Sequence, residues 1–97
     1  MIDRKRKEVK NWEDMKIVAV KSIEKFKLRY KFKNGRVMEY DIEKMARKLE
    51  KCFKPMLDNP EIIKNVNFDS GTSIWWSDQM DVPSDFLYCV GTIVKKY

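Results

Sequence analysis

The side chains able to do chemistry in this 97-residue sequence are few, and their spacing narrows them further. There is no histidine, which removes Ser-His and Cys-His nucleophile pairs, imidazole bases titrating near neutral pH, and every His-containing metal site. Cys52 and Cys89 lie far apart with no C-x-x-C, so a zinc knuckle or a thioredoxin-like pair is excluded. Two buried free thiols are expected, since cysteine is among the most buried residue types. The acids Asp58, Glu61, Asp69, Asp78, Asp81 and Asp85 are the raw material of a metal-dependent nuclease, yet none of them stands in E-x-K or D-x-D spacing. The expectation is therefore no catalytic residue, no metal and no cofactor. Acids ahead of helices usually cap them, and Asp81 and Ser84 fit that role before the last predicted helix.

What remains is chemistry of recognition. Trp75 and Trp76 are adjacent in a predicted strand, so their side chains point to opposite faces. Trp76 is expected in the core and Trp75 outward, either as an interface anchor or packed beneath the N-terminal arm or a nearby loop. With Asp78 and Asp81, Trp75 makes a candidate acidic-aromatic patch for a basic protein partner. A second candidate surface is basic: Lys27, Arg29, Lys31, Lys33 and Arg36 on a strand and its turn, helped by Arg4, Lys5, Arg6 and Lys7, would track phosphates. The competing view of those cations is a solvated face with internal cross-strand ion pairs, favoured because lysine dominates and no stacking aromatic shares the face.

These residues must be held by ordered elements. Residues 1–15 read as a basic arm or short extra helix, with Trp12 as its anchor, and 16–97 as one α+β domain. Lys16–Ile23 is rich in β-branched residues, and Phe26–Lys33 alternates apolar with basic. Asn34-Gly35 then turns the chain into Arg36–Asp41. A two-residue loop would set Leu28 opposite Asp41 and Tyr30 opposite Glu39, burying two acids. A three-residue loop with a left-handed Gly35 instead pairs Tyr30 with Met38, Leu28 with Tyr40, Arg29 with Glu39 and Lys27 with Asp41, and is the register expected.

Asp41 is placed to cap a helix whose stripe is Ile42, Met45, Ala46, Leu49, Cys52 and Phe53, with Lys44, Arg47, Lys48 and Lys51 wet and Pro55 as its stop. Glu43–Arg47 and Glu50–Lys54 are the expected i,i+4 pairs. Asn59-Pro60 opens a short helical turn, Asn65–Phe68 and Thr72–Trp76 read as strands around an Asp69–Gly71 turn, and Pro83–Val90 reads as a helix ended by Gly91. The order β-β-β-α-(α)-β-β-α implies a mainly antiparallel sheet with helices packed on one face.

Composition bounds the rest. Hydrophobic residues at 43% suffice for one core, and 37% charge places the chain among soluble proteins. No apolar run nears the roughly 20 residues of a membrane span, and the charged start is no secretory signal, so the expected setting is the cytoplasm, away from membranes. Residues 1–54 hold 18 Lys/Arg against 9 Asp/Glu, whereas 55–97 hold 3 against 6, so a molecule of net +6 is electrically two-faced.

One ordered set of residues resembles a known family: Phe32-Lys33-Asn34-Gly35, Tyr40-Asp41-Ile42, Phe53-Lys54-Pro55-Met56-Leu57-Asp58, Val66, Thr72-Ser73-Ile74-Trp75-Trp76, Asp81-Val82 and Leu87-Tyr88. Over about residues 16–90 it is similar to the domain-of-unknown-function 2442 family. That resemblance implies an α+β fold and a small bacterial protein, often encoded beside a compact toxin-like partner, acting as an antitoxin-type or regulatory module with no established active site. The chain departs from the pattern at Ser77-Asp78-Gln79-Met80 and at Pro83-Ser84, so the loop 77–84 is expected to be reshaped. Some members carry a helix-turn-helix domain, and none follows Tyr97, so DNA binding of that kind is not carried over.

Together these readings predict a non-enzymatic protein-binding module, antitoxin-like or an inhibitor, occluding a toxin-like protein or a nucleic-acid enzyme through Trp75, Asp78 and Asp81. The alternative is a nucleic-acid-binding regulator using Arg4–Lys7, Lys31, Lys33 and Arg36. Neither sets an oligomeric state.

Overall fold

Alternation of apolar and charged residues builds the first three strands. In the computed structural model, which describes residues 12–68 and 72–97, β1 (Ile17–Glu24), β2 (Lys27–Phe32) and β3 (Val37–Asp41) run antiparallel in sequence order. Leu28, Tyr30 and Phe32 are buried, while Lys27, Arg29 and Lys31 alternate with them on the other face. The β2–β3 turn has the bulged register: Leu28 faces Tyr40, Tyr30 faces Met38, and Arg29 faces Glu39. Gly35, at φ 94°, takes the left-handed turn, and its amide donates to the Phe32 carbonyl at 2.9 Å. Opposite charges across the ladder, rather than turn residues alone, decide this register. Lys27 faces Asp41 in it, but its ammonium pairs with Glu24 at 3.7 Å.

The expected single helix is two. α1 (Glu43–Lys48) and α2 (Glu50–Asp58) meet at Leu49, whose φ of −107° and ψ of 42° break the helical path. The Leu49 carbonyl accepts from the amides of both Cys52 and Phe53 at 2.9 Å, which starts a new helix in a new direction. Pro55 therefore lies inside α2 rather than ending it; the helix continues because the Asn59 amide donates to the Pro55 carbonyl at 3.0 Å. The buried stripe is rephased. Ile42, Ala46, Phe53 and Met56 face the core, whereas Leu49 and Cys52 are exposed and Met45 is half-buried. Asp41 accepts from the Glu43 amide at 2.9 Å, and Arg47 pairs with Glu43 at 2.7 Å. Lys54 pairs with Asp58 at 3.5 Å instead of with Glu50. Both cysteines are exposed and free, against the expectation of burial, because Cys52 sits on the rephased outer side of α2.

A 3-10 turn (Pro60–Asn65) leads to a second antiparallel sheet of β4 (Asn67–Phe68), β5 (Ser73–Trp75) and β6 (Asp81–Pro83). The predicted Asp69–Gly71 turn lies outside the described residues. β6 stands where caps were expected: Asp81 is in the strand, and Ser84 is buried with its amide donating to the Thr72 carbonyl at 2.9 Å. α3 (Ser84–Val90) follows with no side-chain cap at its start. Beyond it β7 (Thr92–Val94), absent from the sequence reading, joins β3 and completes a four-stranded sheet ordered β1-β2-β3-β7. Gly91 ends α3 as expected, its amide donating to the Leu87 carbonyl at 3.3 Å, with an extended φ of −77° rather than a left-handed one.

Helix α3 seals the core face of the large sheet. The Tyr30 phenol donates to the Leu87 carbonyl at 2.9 Å, and Tyr40 packs edge-on against Phe86. The 3-10 turn Trp12–Met15 sits against α3 with Met15 in the core. Burial, reinforced by the neighbouring Tyr40, holds the Tyr30 phenol far above its ordinary value of 10.0. The folded state keeps this group neutral where the unfolded chain ionises, so its contribution is complete below about pH 10 and declines as pH rises. Urea titrations between pH 9 and pH 12 should show stability falling with a slope approaching about 1.4 kcal/mol per unit, and Tyr30→Phe should flatten that slope. An unchanged slope in the variant would assign the alkaline limit to another group.

Candidate functional site

Register brings the predicted acidic-aromatic residues together. Across β5 and β6, Trp75 faces Asp81 and Ser73 faces Pro83, while Ile74 and Val82 between them are buried on the opposite side. Ser73, Trp75, Ser77, Asp78 and Asp81 then line one open depression of about 250 Å³. The loop carrying Asp78 is closed by two main-chain bonds: Trp76 amide to Met80 carbonyl at 2.8 Å, and Met80 amide to Ser77 carbonyl at 3.2 Å. Its hydroxyl at Ser77 also accepts from the Gln79 and Met80 amides.

The two tryptophans divide as adjacency requires. Trp76 packs edge-on against Phe53 with centroids 6.2 Å apart, and its indole N–H donates to the Ile63 carbonyl at 3.0 Å. Trp75 is half-buried at the depression, with one part of its surface held by the fold and the rest open. Asp78, Asp81 and Asp85 make no ion pair with a described residue, whereas Glu13, Glu24, Glu39, Glu43, Asp58 and Glu61 each do. In a protein of net +6, the depression therefore presents negative charge that no described cation pairs with, beside an indole. Ser73 and Ser77 were not singled out from sequence; the signal for Ser73 is its place two residues before Trp75 on one strand, which alternation puts on the same face, and Ser77 opens the loop that follows.

The basic residues are spread out and mostly engaged. Lys31 is exposed on the outward face of β2. Lys33 binds Glu13 at 3.0 Å, and the Lys33 and Lys16 ammonium groups hold the Glu13 carboxyl below its ordinary value. The Arg36 guanidinium lies 4.3 Å from the centroid of the Tyr88 ring, whose hydroxyl accepts from Asn34 at 3.0 Å. Arg29 is bound to Glu39. These cations pin the hairpin tip and sheet rather than forming one open row. Arg4, Lys5, Arg6, Lys7 and the Trp12 side chain lie outside the described residues.

Among the described residues no three His, Cys, Asp or Glu side chains are grouped to hold a metal ion, and no helix is long and apolar enough to cross a membrane. No curated protein and no solved structure matches the chain. One family model, described as a protein of unknown function (DUF2442), matches residues 17–88, a stretch running from β1 into α3 that contains the hairpin, Phe53, both tryptophans and the depression. The sequence thus belongs to the DUF2442 family.

Proposed function

We propose that the protein is a non-enzymatic binding module of the cytoplasm that occludes a partner protein, in the manner of an antitoxin or inhibitor. The observation supporting this reading is the convergence of Trp75, Asp78 and Asp81 on one open depression whose carboxylates make no ion pair among the described residues. Its shape is too shallow to enclose a metabolite, while an indole flanked by carboxylates suits a protruding basic side chain through cation–π and charge-assisted contacts. A toxin-like ribonuclease or another nucleic-acid enzyme presents such side chains where it binds phosphates, so covering them would block substrate.

The test is a tagged pull-down from the native host at low and moderate salt, with nuclease treatment of half the sample, followed by the same capture with Trp75→Ala/Asp78→Ala. A stoichiometric protein that survives nuclease and is lost from the double variant is expected, with the affinity falling at least about tenfold for a loss of roughly 1.4 kcal/mol or more. Binding unchanged in the double variant would remove this surface. Loss of every partner on nuclease treatment would favour the nucleic-acid reading, for which binding should also fall steeply with salt.

A further inference from the structure

The outward face of the four-stranded sheet carries a row of side chains fixed by register: Lys21 opposite Arg29, Arg29 opposite Glu39, Glu39 opposite Thr92. α3 packs on the other face, where Tyr30 bonds Leu87 and Tyr40 meets Phe86. After β7 the chain turns back along this row. The main-chain oxygen of Tyr97 accepts from the Arg29 guanidinium at 3.0 Å, and the Lys21 ammonium stands 4.2 Å from the centroid of the Tyr97 ring. Since β7 is one edge of the sheet and β1 the other, and strands are about 4.8 Å apart, residues 95–97 cross most of its width. Beneath them Arg29 grips Glu39 through two nitrogens at 2.5 and 2.7 Å, with side-chain exposures of only 29% and 18%.

We infer that this row is a second interaction surface, a docking site for an extended peptide that presents an aromatic ring and a main-chain oxygen, and that residues 95–97 occupy it in cis as a strap. Lys21 supplies a cation for the ring, and Arg29, already oriented by Glu39, supplies a donor for the oxygen. The ligand chemistry is read from the segment seated there: a short extended run of the Val-Lys-Lys-Tyr type, lying across the strands. Burial pushes the Tyr97 phenol above its ordinary value while Arg29 pulls it back, which agrees with a ring held on the sheet rather than in water. A partner segment of this chemistry competes with the strap. This surface is distinct from the Trp75 depression, so neither reading depends on the other.

The experiment uses the full chain, labelled with nitrogen-15, and the unlabelled peptide Val-Lys-Lys-Tyr at concentrations up to several mM, the range in which a short tethered segment competes with a free one. In wild type, a nuclear Overhauser contact between the Tyr97 ring and the Lys21 side chain is required. Tyr97→Ala should open the row, so that peptide shifts the Lys21, Arg29 and Glu39 amides with an apparent affinity about tenfold higher than in wild type, as for a strap closed about nine-tenths of the time. Adding Lys21→Ala, at an exposed position, should remove that gain while leaving a dispersed spectrum. Equal affinity for wild type and Tyr97→Ala, shifts confined to other parts of the molecule, no shifts at all, or absence of the Tyr97–Lys21 contact would each overturn the proposal.

Discussion

Gly91→Ala is expected to lower stability by about 4 kcal/mol, a large share of the roughly 5–15 kcal/mol available to a domain of this size. A methyl at residue 91 would overlap the Tyr30 hydroxyl and press on the Glu39 carbonyl at 3.1 Å and the Met38 Cβ at 3.2 Å. The phenol cannot move aside freely, because it donates to the Leu87 carbonyl in the sealed core. Displacing it takes the buried Tyr30 hydroxyl off its acceptor, at about 1–3 kcal/mol, in addition to about 1–3 kcal/mol of overpacking. Denaturant midpoints would measure the loss. The same methyl in a Tyr30→Phe background should cost clearly less, since the clashing oxygen is gone, so the two substitutions should be strongly non-additive. Gly35→Ala is the contrast: no atom stands within 4 Å of the added methyl, and the cost should be only about 1–2 kcal/mol from the left-handed φ of 94°. A Gly91→Ala protein within about 0.5 kcal/mol of wild type would show that the helix-to-strand junction relaxes in a way the geometry does not suggest.

The second large effect separates two residues that the helical period places on the same stripe. Phe53→Ala should cost about 3–5 kcal/mol, because Phe53 is fully buried and its ring meets the edge of Trp76. Leu49→Ala should stay within about 0.5 kcal/mol, because Leu49 is 49% exposed at the break between α1 and α2. Were the segment one continuous amphipathic helix, both would be core substitutions with comparable losses. Paired thermal or chemical denaturation of the two variants decides between these pictures, and comparable losses would contradict the break at Leu49.

That comparison also marks what the sequence could disclose. The hairpin was legible in detail because its constraint is local and doubly stated: Arg29 and Lys27 need acids opposite, and Leu28 and Tyr30 need apolar partners. The helix break was not, since Leu49 is neither glycine nor proline and the apolar period runs through it. Pro55 carried the wrong message as well: it lies past the first turn of α2, and its missing amide removes one i→i−4 bond without ending a helix that the Asn59 amide closes on the Pro55 carbonyl. At the other end, Gly91 does stop the helix, but the second demand on its smallness, the close approach of the Tyr30 hydroxyl, has no local signal. The β-branched run Thr92-Ile93-Val94 beyond it was a strand signal in only three residues. For the candidate site, adjacency of Trp75 and Trp76 was enough to send them apart. Alternation likewise puts Ser73 on the face of Trp75, but that Asp81 would stand beside them required the β5–β6 pairing, a contact between segments linked by an irregular loop that no local pattern announces.

The strand order of the large sheet has a kinetic meaning. β1, β2 and β3 are joined by short turns and can pair as soon as residues 17–41 exist, but β7, the fourth strand, belongs to residues 92–94. Three ties converge on the same closure: β3 with β7, Tyr30 with Leu87, and Asn34 with Tyr88. Each joins residues more than 50 positions apart, so each must overcome the entropy of closing a long loop before it contributes. During synthesis the early hairpin therefore waits, with its apolar face uncovered, until α3 and β7 have emerged. The slow step of folding should be docking of this C-terminal segment onto the hairpin, and a chain cut within α3 would expose that face to proteases.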